Sequence, residues 1–316
     1  MIRMRTSTGL KPVTPSPPDS EDDIGPTDAT YATDKRDEVL DRSIGSFLRQ
    51  LRQLTDQQIE QIVAHQRSHQ MRFGEAAIAL RMASRDDVLW ALSQQFHYPY
   101  APGEGAGFNP ELVAAIDPFN VQTEAMRGIR SQLMLGPLSP ERPRRALAVL
   151  SPNVGDGKSF FAANLAIVFS QLGAKTLLVD ADMRTPRQHE LFRVSNEAGL
   201  SGILSGRAES NVIHMVRDLP SLFVLPVGTL PPNPLELLQR QAFSLLLKEL
   251  LNKFDHVIVD TPSSTHGADS RVAAAQCGVA MVIGRRSKTR MRDVHSLIAE
   301  LGRGPAQFAG VVINDH

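Results

Sequence analysis

Three stretches of this chain hold residue types that could do chemistry together. Residues 151–159 read Ser-Pro-Asn-Val-Gly-Asp-Gly-Lys-Ser. Gly155 and Gly157 let backbone N–H groups turn toward an anion with no Cβ in the way. The helix expected to follow adds the positive end of its dipole. Lys158 would reach the β- and γ-phosphates of a nucleotide, and the Ser159 hydroxyl would ligate Mg²⁺. The candidate nucleotide-binding set is therefore Gly155, Asp156, Gly157, Lys158, Ser159 and Phe160. Pro152 stands where the general pattern has glycine. The second stretch is the apolar run Leu177–Val179 followed by Asp180 and Asp182. Two carboxylates leaving one strand can both approach a single metal–phosphate centre; the bland alternative is a helix cap and a turn. The third stretch, Val257–Val259, ends in Asp260, which suits holding Mg²⁺ through water. Pro262 then turns the chain away. The expected cofactors are ATP and Mg²⁺, with Ser159, Asp182 and Asp260 as metal-side candidates.

Such residues must be positioned at one edge of a sheet. Apolar runs at Arg145–Leu150, Thr176–Val179, Leu222–Pro226, Val257–Val259, Val279–Ile283 and Gly310–Ile313 read as strands. They are rich in Val, Ile and Leu without alternation, as expected of strands covered on both faces. Helical stretches lie between them. The fold class is thus α/β, a P-loop NTPase-type, mostly parallel sheet with helices on both faces. Open sheets of this kind bind ligands at the carboxyl ends of their strands, where the three carboxylates stand.

The remainder of the chain sets boundaries. Its 316 residues suffice for roughly two domains, with 42% hydrophobic and 22% charged residues. The net charge is zero, which gives no global reason to expect nucleic acid as a partner. The single cysteine, Cys277, excludes a disulfide framework and reads as a small core residue. That suits the cytoplasm. No apolar run reaches the roughly 18–20 residues of a membrane helix, so work at a membrane needs recruitment by another chain. Histidines such as His189 and His256 show no metal-ligand grouping.

Four regions follow. Residues 1–38 are proline-rich and carry the acidic cluster Asp19–Asp23; they read as a disordered tail. Residues 39–101 form a small all-α module with an internal repeat at an offset of 29. Gly45 aligns with Gly74, Leu51 with Leu80, Ile59 with Val88 and Val63 with Leu92. In each unit a second helix opens at a capping residue, Thr55 or Ser84. Trp90 is expected in or beside the core. Residues 102–116 read as a linker, and 117–316 as the nucleotide-binding domain.

The three motifs in this order resemble the bacterial tyrosine kinases of exopolysaccharide synthesis, which use a P-loop fold. The family's second motif, an apolar strand followed by Asp-x-Asp-x-Arg, is matched by Asp180, Asp182 and Arg184. Leu200–Gly206, the run from Gly228 through Pro231 to Leu238, Asp269 and the strand closing at Asn314 match further. With its N-terminal module, the layout is similar to the EpsG type of chain-length-determinant tyrosine kinase. The resemblance implies phosphoryl transfer from ATP to a tyrosine hydroxyl, with Lys158, Asp180 and Asp182 catalytic and Arg184 near the cofactor. One of the two aspartates would take the hydroxyl proton while the other helps hold the metal. It also implies a separate chain-length-determinant membrane protein as partner, with recruitment to the inner face of the cell membrane. Glu124, Arg127 and Arg130 fit the family's Glu-x-x-Arg-x-x-Arg pattern and imply self-association; the bland alternative is a solvated helix stripe.

Two departures bear on substrate. The family's tyrosine cluster is replaced by Tyr31, Tyr98 and Tyr100 alone, and Ser263 stands where the family has a second proline. Labelling would then fall on the tail, the module or another protein. The competing reading is an ATP-driven assembly switch without kinase activity. A partition-type ATPase is a third, set aside because Asn153 stands where that class has its extra lysine. The module resembles the N-terminal domains of type II secretion and pilus ATPases. Some of those bind cyclic di-GMP, and Arg42 and Arg72 would be the corresponding arginines; a protein-docking role without ligand is the alternative.

Overall fold

The computed structural model describes residues 44–95, 108–207 and 210–315. The tail expected over 1–38, together with Arg42, Tyr98 and Tyr100, lies outside the described residues. The chain divides into two compact units near residue 105.

The first unit is helical: α1 (44–52), α2 (Asp56–His69), α3 (Phe73–Ala79) and α4 (Arg85–Gln95). The 29-residue repeat is visible in its caps. The Thr55 N–H donates to Gln58 Oε1 at 2.9 Å and Gln58 N–H donates back to Thr55 Oγ1 at 3.3 Å. Ser84 N–H donates to Asp87 Oδ2 at 2.6 Å and Asp87 N–H returns to Ser84 Oγ at 3.1 Å. Both are capping boxes, which satisfy two orphan donors reciprocally. The paired glycines mark close helix contacts. A Cβ on Gly74 would sit 2.5 Å from a Val88 methyl, and one on Gly45 would meet the Phe73 ring at 3.4 Å. Leu48, Ile62, Phe73, Ala76, Ala77 and Ala91 fill the core, and Trp90 packs edge-on to Phe47 at 6.3 Å.

The second unit holds, among the described residues, a seven-stranded sheet: β1 (Ala146–Leu150), β2 (Thr176–Asp180), β3 (His214–Val216), β4 (Leu219–Leu225), β5 (His256–Asp260), β6 (Gly278–Arg285) and β7 (Gln307–Asn314). Their order is β3-β4-β2-β5-β1-β6-β7, parallel throughout except the antiparallel β3–β4 pair. Helices α5 (Val113–Ile116), α6 (Val121–Leu135) and α7 (Lys158–Ser170) pack on one face; α10 (Pro234–Gln239), α11 (Gln241–Lys253), α12 (Asp269–Cys277) and α13 (Met291–Leu301) belong to the other. Leu147 and Val149 enter the first core, and Ala146, Ala148 and Leu150 the second. That two-sided burial is why these strands lack alternation. Two short helices, α8 (Gln188–Phe192) and α9 (Leu200–Leu204), follow β2.

Two expectations need correction. The linker placed over 102–116 does not extend across its last residues. Leu112, Ala114 and Ala115 are buried in the same core as α7. The buried Asn164 side chain takes the Ala114 N–H at 2.9 Å and donates to Glu111 O at 2.8 Å. Gln171 donates to Ala114 O at 2.9 Å. Polar side chains on α7 and at its C-cap therefore strap 111–116 onto the domain. The second correction is β3, which was not expected. Its three residues, with Met215 exposed, are too short to show a pattern, and antiparallel pairing with β4 defines it.

Candidate active site

The P-loop leaves β1 and enters α7, so it lies at the carboxyl edge of an interior strand, beside β5. Gly155 and Gly157 both take positive φ, +81° and +95°. At Gly157 a side chain is excluded twice, because a Cβ would also lie 2.1 Å from Asn314 Nδ2. Lys158 and Ser159 open α7, and both are buried. The loop is held by its neighbours. Ser264 N–H donates to Ser151 O at 2.9 Å, Ser264 Oγ to Pro152 O at 3.1 Å, and Thr265 N–H to Pro152 O at 3.2 Å. The residues just past Asp260 thus support the loop where Pro152 replaces glycine.

The strand order brings the carboxylates together. β5 lies between β1 and β2, and the register places Asp180 directly beside Asp260, on strands about 4.8 Å apart. Both are fully buried. Burial, then the neighbouring Asp260, holds the Asp180 carboxyl well above the usual carboxylate range. Burial raises Asp260 to about 6, against the pull of the Lys158 ammonium and the Ser159 and Gln188 side chains. Asp180 Oδ1 accepts from Asp182 N–H at 3.1 Å, and Oδ2 accepts from Arg187 and Gln188 N–H at 3.2 and 3.0 Å. Its oxygens shape the loop after β2. Asp182 accepts from Arg184 N–H and from the N–H and hydroxyl of Thr185, at 2.9–3.2 Å.

A cavity of about 640 Å³ opens over the loop, lined by Gly155, Gly157, Lys158, Ser159, Phe160 and Asp182, with Glu111, Thr185, Arg187, Arg285 and Asn314 among its other walls. The structure therefore brings together most of the residues expected from sequence. Four expected members, Asp156, Asp180, Arg184 and Asp260, stand off the cavity wall. The Asp156 carboxylate points back into the loop, accepting from Asn153 N–H at 2.8 Å and from the Thr289 hydroxyl at 2.7 Å. Arg184 makes a two-pronged contact with buried Asp269 at 3.0 and 3.3 Å, tying the Asp182 loop to α12. Asp180 lies behind the wall.

The site passes a test for a metal–nucleotide group. Asp260 Oδ1 is buried with no hydrogen-bond partner, beside the Lys158 and Ser159 side chains that act on it. A buried carboxylate oxygen left unpaired is costly, and a hydrated hard cation held by Ser159 would satisfy it through a bound water.

Sequence reasoning missed Gln188. Its amide donates to Asp260 Oδ2 at 2.8 Å and to Ser159 O at 3.1 Å, locking β5 to the start of α7. A lone glutamine eight residues past a strand carries no signal. Of the expected self-association residues, Glu124 is exposed and pairs with Arg127 at 2.8 Å. Arg130 donates to Val168 O at 2.7 Å. Arg72 is exposed, while Arg52 is engaged by Asp87 at 2.7 Å. Cys277 is buried in the core, and burial pushes its thiol far up.

A P-loop at the carboxyl edge of a parallel sheet, facing strand-end aspartates, defines a nucleotide-binding domain of the P-loop class. The family model described as the CobQ/CobB/MinD/ParA nucleotide binding domain matches residues 147–316, more than half of the chain, and the chain belongs to that family. CapB of Staphylococcus aureus is 33% identical over 200 residues, 62% of this chain and 86% of that protein. Tyrosine-protein kinase Etk of Escherichia coli K12 is 31% identical over 206 residues, 65% of this chain but 28% of its own length. The chain thus spans under a third of the larger relatives it matches. Among solved structures, the kinase domain of Escherichia coli tyrosine kinase ETK superposes with a TM-score of 0.61 at 32% identity, covering 64% of this chain and 79% of that one. The chimerical protein CapA2B2 gives 0.60 at 31%, covering 71% and 96%. Among the described residues no helix is long and apolar enough to cross a membrane.

Proposed function

We propose that this chain is a protein tyrosine kinase that uses ATP and Mg²⁺ and regulates exopolysaccharide chain length or export. The single observation that carries the reading is the convergence of Lys158, Ser159, Asp182 and the buried Asp180–Asp260 pair at one sheet edge. It is joined by the likeness to tyrosine-protein kinases over the whole nucleotide-binding unit. Ser159 and Asp260 would hold Mg²⁺, which supplies charge neutralisation between the phosphates. Lys158 offsets charge on the transferred phosphoryl group. Asp182 is the candidate base on the cavity wall and takes the hydroxyl proton. Asp180 fixes the loop that presents it. General-base work by Asp182 requires a substrate hydroxyl within hydrogen-bond reach of its carboxylate.

The partner in this reading is a chain-length-determinant protein of the cell membrane, which recruits the kinase to the inner face. Subunits associate through the α6 face that displays Glu124, with Arg127 and Arg130 ordering that helix. Cyclic di-GMP at Arg42 and Arg72 is a further proposal for the helical module, tested by calorimetry on the full chain.

Incubation with labelled ATP, Mg²⁺ and the membrane partner, followed by phosphotyrosine mapping, tests the activity. Label is expected on the partner or on Tyr31, Tyr98 or Tyr100, and is abolished by Lys158→Ala. ATP hydrolysis with no labelled tyrosine would instead favour an assembly switch.

A further inference from the structure

Thr289 lies in the turn between β6 and α13, outside every motif of the nucleotide site, yet it touches the P-loop directly. Its hydroxyl donates to Asp156 Oδ1 at 2.7 Å and accepts the Arg285 N–H at 2.6 Å. A hydroxyl has one proton to give, and here it is committed to Asp156. The Asp156 carboxylate is buried. Its other oxygen takes the Asn153 N–H at 2.8 Å. The same turn reaches the loop again through Arg285, whose guanidinium donates to Gly155 O at 3.2 Å. The two glycines flanking Asp156 have positive φ, a conformation that costs a glycine little and therefore fixes little.

We infer that Thr289 is a positioning residue for the nucleotide site: through Asp156 it holds the phosphate-cradling segment 153–157 in its anion-binding shape. Gly155 and Gly157 supply the freedom to adopt that shape, and the Asp156–Thr289 bond removes the freedom to leave it. Preorganised donors stabilise a bound anion without reorganising when it arrives. The β6–α13 turn is thereby part of the nucleotide site, although Thr289 lines none of the cavity.

The inference rests on the nucleotide-site reading, so the test reads MgADP binding to the full chain, by titration with a fluorescent ADP analogue, alongside urea midpoints. Thr289→Val keeps the side-chain shape and removes the donor. It is expected to weaken MgADP about tenfold, on the scale of one hydrogen bond to a charged group, and to lower the midpoint as well, because Asp156 Oδ1 and the Arg285 N–H both lose their partner. Thr289→Ser keeps the donor and is expected to bind within about twofold of the natural chain. Asp156→Ala combined with Thr289→Val is expected to bind no more weakly than Asp156→Ala alone, because the Asp156–Thr289 bond through which Thr289 acts is already gone. Unchanged affinity in Thr289→Val overturns the inference. So does equal loss in Thr289→Ser, or additive losses in the double variant. If Thr289→Val does not fold, the serine variant and Asp156→Ala decide it: a weakened serine variant, or Asp156→Ala at natural affinity, overturns it. A natural chain that binds no MgADP sinks the nucleotide reading and this inference together.

Discussion

At Gly157 the backbone strongly favours glycine. Its φ of +95° disfavours any L side chain, and a Cβ would lie 2.1 Å from Asn314 Nδ2. Gly157→Ala is therefore expected to destabilise the unit by on the order of 1–3 kcal/mol and to abolish MgADP binding. Adding Asn314→Ala relieves the contact but not the backbone strain, so a titration should show partial recovery at most. Asp260 makes a prediction of opposite sign for stability. Its folded pKa of about 6 lies above the usual carboxylate value, so the native state holds this proton more tightly than the unfolded chain. The stabilisation is present below about pH 4 and is lost as pH rises toward 6, a change on the order of 3 kcal/mol at most. Urea midpoints in EDTA should fall between pH 4 and 6.5 and flatten in Asp260→Asn. That variant is expected to be more stable than the natural chain at pH 7.5, yet to lose Mg²⁺-dependent nucleotide binding. A natural chain whose midpoint rises over this window would refute the assignment.

Elements rather than single residues decide where the site closes. Helix α7 begins with Lys158 and Ser159, carries Asn164 further along and is capped by Gln171, both bonded to 111–114. One helix therefore opens at the proposed phosphate site and, at its other polar positions, pins the strap that contributes Glu111 to the cavity wall. Asn164→Leu leaves the Ala114 N–H and Glu111 O unpaired, costing about 1–3 kcal/mol for each group that stays buried. Amide exchange should accelerate at residues 111–116 well before it does in β1. In the helical unit, Ser84→Ala removes a capping box that also anchors the Asp87–Arg52 pair. A loss of about 1 kcal/mol is expected, read as a lower midpoint by circular dichroism.

For the whole molecule, the proposed kinase activity needs both a nucleotide site and an acceptor from elsewhere. The exposed side chains near the start of α6, Glu124 with Phe119 and Val121, are where self-association would act. Glu124→Lys is expected to shift the sedimentation of the full chain toward monomer; an unchanged distribution counts against this face.

The amino-acid sequence by itself determined the element types and most of the site. Short unbroken Val/Ile/Leu runs bounded by turns read as strands covered on both faces, and Gly-Asp-Gly-Lys-Ser between a strand and a helix reads as a loop that turns amides toward an anion. The 29-residue repeat was legible because each unit repeats a glycine, an apolar set and a cap. Tertiary structure decided the rest, because it depends on which strands are neighbours. Only insertion of β5 between β1 and β2 sets Asp260 beside Asp180, and burial at that place in the sheet raises both pKa values. Only the fold turned Arg184 to Asp269, Asp156 to Thr289 and Gln188 to Asp260. These partners lie 85, 133 and 72 residues apart, and polar contacts at such separations leave no periodic trace in a sequence.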